Sequence, residues 1–128
     1  MSIKSQYQVP IEELLASCSD YLFPADIGEA LVTLDSRGID GDSPLHVMVW
    51  RDDTEAVLRF IEAGADVNAV GDMSATPLHV AVEMRNLVAI EAMLKAGADP
   101  TCKSEFGHSS QTLAKEIGGE VFRIFESL

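Results

Sequence analysis

The stretch Thr76-Pro77-Leu78-His79 echoes an earlier one, Ser43-Pro44-Leu45-His46, and Ala96-Gly97-Ala98-Asp99 repeats Ala63-Gly64-Ala65-Asp66. Both pairs are offset by 33 residues, so the two tetrapeptides belong to one repeating unit rather than to two coincidences. A unit of roughly 20 to 50 residues is too small to bury an apolar face alone and must stack on copies of itself. Stacked arrays present long continuous surfaces, so the period points to binding rather than to catalysis.

Each unit reads as two short helices. Ser43 or Thr76 supplies a capping hydroxyl, and Pro stands at the first helical position, where its missing N–H costs nothing. Leu45, Val47, Met48 and Val49 then give a short apolar helix. A second helix carries Ala56, Val57, Phe60 and Ile61 in the first unit and Ala89, Ile90, Met93 and Leu94 in the next. Gly64 and Gly97 end these helices, and residues 66–75 form a turn-rich loop. A third copy begins at Ser109 and keeps Leu113 and Ala114 but has lost Pro, Leu and His. Its second helix, with Val121, Ile124, Phe125 and Leu128, aligns after one extra residue near Gly118-Gly119. Divergent end copies are expected where one side faces solvent.

Working outward to the N-terminus, Pro10 opens the series Ile11, Leu14, Leu15, Cys18 and Leu22, an amphipathic helix that Pro24 stops, with Glu12 and Glu13 at its positive end. A shorter pattern at Ile27, Ala30, Leu31 and Leu34 predicts a second helix, with Gly38 as its left-handed cap. The organisation is thus one all-α solenoid domain: a flexible segment 1–9, capping helices in 10–42, repeats at 43–75 and 76–108, and a degenerate copy at 109–128.

Residues 43–116 resemble the ankyrin repeat, whose helix-turn-helix units open on Thr-Pro-Leu-His and carry Gly-Ala-Asp after the second helix, with a protruding loop between units. The chain departs from that pattern in places. The Gly usual before the Thr-Pro turn stands at Gly41 and Gly107 but is Ser74 in the middle copy, and the first copy's incoming loop, 38–42, is short. The Asn-Gly usual between the helices is replaced by Asp52-Asp53 and Arg85-Asn86, a more charged turn.

The 128 residues suit one compact domain, and 47% hydrophobic composition can fill its core. With 9 Lys and Arg against 21 Asp and Glu, the net charge of −12 repels nucleic acid and anionic lipid and favours a basic protein partner. Cys18 and Cys102 lack any CxxC spacing, which argues against a disulfide framework or a zinc knuckle and for reduced thiols. No leader-like segment opens the chain, and no stretch approaches the roughly 20 apolar residues of a membrane span, so a cytoplasmic protein is expected.

Catalytic and metal chemistry find little support. His46 and His79 fall on neighbouring units roughly 10 Å apart, too far to share a metal, as packed helices are spaced. The ankyrin resemblance implies a structural role for them, bonding from the helix start to the adjoining turn. His108 has no Cys or second His nearby in sequence. Asp40, Gly41 and Asp42 faintly echo a calcium loop, but its later glycine and terminal Glu are missing. No glycine-rich phosphate loop is present, so neither an enzyme nor a cofactor is expected.

The resemblance implies that a partner lies across the loop tips and the exposed faces of the first helices. Carried over position by position, this selects Ile39, Asp40, Asp42, Trp50 and Arg51 from the first copy and Asp72, Met73, Ala75, Glu83 and Met84 from the second. The third contributes Glu105, Phe106, His108 and Glu116. Each large apolar residue among these could fold back on a neighbour, but Trp50, Met73, Met84 and Phe106 together, interleaved with carboxylates, read as binding hot spots. The expected function is a small monomeric protein that occludes a basic partner, in the manner of acidic immunity proteins or antitoxins. The alternatives are an adaptor bridging two proteins and, distantly, an enzyme using its histidines.

Overall fold

In the computed structural model, which describes residues 9–22 and 31–127, helices follow one another in two rows. They are α1 (Ile11–Ala16), α2 (Ser19–Leu22), α3 (Pro44–Trp50), α4 (Thr54–Glu62), α5 (Pro77–Glu83), α6 (Leu87–Lys95), α7 (Ser110–Ile117) and α8 (Gly119–Ser127). The first helices of the units, α3, α5 and α7, pack side by side, as do the second helices α4, α6 and α8. Within each unit the two helices pack on one another, and α1 lies on α4. The core runs between the rows, from Val47 and Phe60 through Leu78, Ile90 and Met93, all fully buried. Ala56, Ala81 and Ala89 are buried as well, and their small side chains let the helices approach.

Local chemistry explains each helix end. Asp53 and Asn86 accept the backbone N–H of Ala56 and Ala89 and so cap the second helices. The residues before them, Asp52 and Arg85, are left-handed, the conformation that the family's Asn-Gly turn would supply without strain. The residue before the capping Ser or Thr loop is also left-handed in every copy: Gly41 at φ 93°, Ser74 at φ 59° and Gly107 at φ 78°. The middle copy therefore holds a side chain where glycine is the natural choice, and Met73 beside it is left-handed too.

The N-terminal part differs from expectation. The first predicted helix is broken into α1 and α2 at Ser17-Cys18, although Leu14, Leu15, Cys18 and Leu22 are buried as its periodicity requires. Of the second predicted helix, Ile27 and Ala30 lie outside the described residues, as does Pro24. Its described end is not helical: Leu31 is 88% exposed, and the backbone turns at Thr33, whose N–H bonds the Ser36 hydroxyl. Gly38 is not left-handed. It is pressed against Leu22, where a Cβ would sit 3.0 Å from that residue's Cδ2 and carbonyl oxygen, so its small size serves packing. Among the described residues no helix is long and apolar enough to cross a membrane.

Candidate partner-binding groove

The units are tied together by their helix starts. Ser43 Oγ accepts the His46 N–H, and His46 Nδ1 in return accepts the Ser43 backbone N–H at 3.1 Å. With Nδ1 accepting, Nε2 carries the proton and donates it to the Ala75 carbonyl at 2.9 Å, one loop further along the chain. Thr76 and His79 repeat the arrangement, with Nε2 donating to the His108 carbonyl at 2.9 Å. Both imidazoles are buried, so the structural role implied by the resemblance holds. Burial holds the His46 imidazolium disfavoured, lowering its pKa from the ordinary 6.5 against the opposing pull of the Ala75 carbonyl and Asp42.

Further bonds fix the loops at the same spacing. Arg37 donates to the Val70 and Gly41 carbonyls at 2.8 and 3.0 Å. Asp42 Oδ1 accepts the Asp72 N–H at 2.8 Å, and the Glu105 N–H bonds the Met73 carbonyl at 2.9 Å. On the opposite edge Asn68 spans to Gly97 and Asp99, and Asn86 to Asp52 and Thr54. Loop tips held this way are positioned before any partner arrives, which lowers the entropic cost of binding.

Between the tied loops and the first helices lies a groove of about 480 Å³. Eight of the residues selected from the sequence line it: Asp42, Trp50, Asp72, Met73, Ala75, Glu83, Phe106 and His108. Trp50, Met73 and Phe106 are 43%, 50% and 70% exposed, so none has folded back into the core. Ile39 and Asp40 border a smaller hollow of about 270 Å³ that shares Tyr21 and Asp42 with the groove.

Other selected residues are elsewhere or otherwise engaged. Asp42 was expected on an exposed rim but is buried, spent on the Asp72 amide. Arg51 donates to the Ser17 hydroxyl and carbonyl at 3.1 and 2.8 Å, tethering α3 to the α1–α2 break. Met84, at the C-cap of α5, is half-buried against the core rather than exposed. Glu105 and Glu116 are exposed but do not line the groove.

The groove also contains residues the sequence reading passed over: Tyr21, His46, His79, Val80, Ser104 and Leu113. The period relates four of them in pairs, since His79 and Leu113 lie 33 residues beyond His46 and Val80, but no member of either pair had been selected. Tyr21, half-exposed, comes from α2 and has no such signal. Its phenol is held above the ordinary value of 10.0 by partial burial and then by the charges of Asp42, Asp40 and Asp72. Among the described residues no group of three or more His, Cys, Asp or Glu is placed to hold a metal ion.

The family model for ankyrin repeats (3 copies) matches residues 11–104, a span that begins with α1 and ends ahead of α7. No curated protein matches the chain. The match covers most of the 128 residues and agrees with the stacked hairpins and the histidine-tied loops. The chain belongs to the ankyrin repeat family and is a protein–protein interaction module.

Proposed function

We propose that the chain is a small acidic inhibitor that binds and occludes a basic protein, such as a toxin or effector, in the manner of an immunity protein. The observation that carries this reading is the composition of the groove: exposed Trp50, Met73 and Phe106 stand beside Asp72 and Glu83, and among the described residues no Lys or Arg lines it. Apolar anchors set the dissociation rate of a complex, while surrounding carboxylates speed encounter with a cationic surface. The net charge of −12 extends that attraction beyond the groove itself. On this reading the free chain is a cytoplasmic monomer.

The competing reading is an adaptor with two separable surfaces. A second hollow, of about 400 Å³, lies between α6 and α8 and is lined by Leu87, Val88, Glu91, Glu120, Arg123 and Ile124. Among the described residues it holds charges of both signs and no aromatic anchor, which favours one dominant surface over two.

The test is to purify the partner that accompanies the chain in its native cell and to measure its charge, its affinity and its activity. The expected partner is basic, loses its activity on stoichiometric binding, and binds about tenfold or more weakly when salt is raised from low concentration to about 0.5 M. An acidic partner, or an affinity indifferent to salt, overturns the proposal. A partner that keeps its activity while engaging a third protein establishes the adaptor instead.

A further inference from the structure

We infer that the groove is built to take an arginine side chain of the partner, stacked among Trp50, Tyr21 and Phe106 and neutralised by Asp72 and Glu83. This rests on the groove being the partner-binding face and goes beyond it by naming the group that is recognised. Among the described residues, three aromatic side chains and three carboxylates, those of Asp42, Asp72 and Glu83, line one groove, and no lysine or arginine does. Arg37, Arg51 and Arg85 lie near groove residues in sequence but not in its lining, and the first two are already used. Arg37 donates to two backbone carbonyls, and Arg51 is bound to Ser17. Of the groove carboxylates, Asp42 is satisfied by a backbone amide, which leaves the exposed Asp72 and Glu83 facing an incoming cation.

His46 supplies no internal counter-charge. Burial disfavours its imidazolium, and both ring nitrogens are engaged, with Ser43 and Ala75, as those of His79 are with Thr76 and His108. The groove therefore offers negative charge and aromatic faces together. A guanidinium answers both: it is planar and weakly hydrated, stacks on rings, and donates in a fork to carboxylate oxygens. An ammonium is a compact, strongly hydrated point charge and answers chiefly the charge. The volume of about 480 Å³ exceeds one side chain, so the flanking residues of the partner segment enter as well and meet Met73, Val80 and Leu113.

The chain's single tryptophan, Trp50, lies in the groove and reports on it directly. Three capped tripeptides, each with two leucines flanking a central arginine, lysine or citrulline, are titrated against the intact protein while tryptophan fluorescence is followed. Citrulline keeps the planar shape of arginine and removes its charge. The arginine peptide is expected to bind saturably, the lysine peptide several-fold more weakly, and the citrulline peptide about tenfold or more weakly than arginine. Glu83→Gln and Asp72→Asn are each expected to weaken the arginine peptide several-fold. Because both carboxylates are exposed, unchanged melting temperatures will separate these losses from unfolding.

Equal binding of the three peptides, lysine binding as tightly as arginine, or no fluorescence response to any of them overturns the inference. The groove reading itself has a separate readout, the loss of native-partner affinity in Phe106→Ala. If that loss occurs while the peptides do not discriminate, the binding face stands and arginine recognition falls. If partner affinity is unchanged, the binding face falls with it.

Discussion

At the start of α5, Thr76 and His79 cap each other, and the histidine reaches on to the carbonyl of residue 108. At the start of α7, Ser109 accepts the Thr112 N–H at 3.1 Å, the two hydroxyls meet at 2.9 Å, and the reach onward is absent. Both starts satisfy their own backbone, so the histidine is not needed to begin a helix. It is needed to hold the loop of the next unit. The third copy has Ser110, Gln111 and Thr112 where the earlier copies have Pro, Leu and His, so its start keeps the local cap without the tie.

The comparison breaks if the two starts are worth the same. His79→Ala removes a buried ring, a reciprocal cap and an inter-unit hydrogen bond, and is expected to cost about 3 kcal/mol in a urea melt. It should also release the amides of loop 104–108 to faster hydrogen exchange. An intact loop with lowered global stability would make the histidine a local cap only.

Acid sharpens the same contrast, since buried imidazoles stand at the first two starts and not at the third. His46 has its pKa lowered in the folded chain by burial, so below the ordinary 6.5 the unfolded state binds more protons than the folded one. Stability is therefore full above that value and is expected to fall as pH drops below it, towards the folded pKa. Denaturant midpoints at neutral pH and at about pH 5 will show the fall, and His46→Gln should remove part of it. Stability independent of pH across that range would contradict the assignment of a neutral, Nδ1-accepting imidazole.

The smaller effects concern the loops and the third start. Ser74 is left-handed where its counterparts Gly41 and Gly107 are glycines, so Ser74→Gly is expected to raise stability by up to about 1 kcal/mol. Thermal melting checks this, and a loss would mean that the Ser74 side chain contributes more than its backbone costs. Thr112→Ala, the counterpart of the histidine change, is expected to cost about 0.5 kcal/mol and to leave every loop in place.

The tetrapeptide pairs made α3 to α6 legible because capping, proline position and apolar spacing all agree there, and α7 and α8 followed from the period. The end of the N-terminal pattern was misread. Leu31 and Leu34 continue a helical spacing, but Leu31 is exposed and Leu34 only half-buried, so spacing without a surface to pack on did not make a helix at 31–34. In the groove, Trp50, Met73 and Phe106 were legible as large apolar residues at positions the family leaves open. The engagements of Asp42, Arg51 and Met84 with the Asp72 amide, Ser17 and the core were not legible, because they are set by packing between units that no single unit spells out. Tyr21 escaped for the same reason.

The central claim is that one face of the stack, the groove, grasps the partner. Titration calorimetry of the native partner against Trp50→Ala/Phe106→Ala and against Val88→Ala, which alters the exposed apolar residue of the α6–α8 hollow, tests it most directly. The account predicts a loss of about a hundredfold or more for the groove pair and almost none for Val88→Ala. Undiminished affinity in the groove pair, or a large loss at Val88, would contradict it.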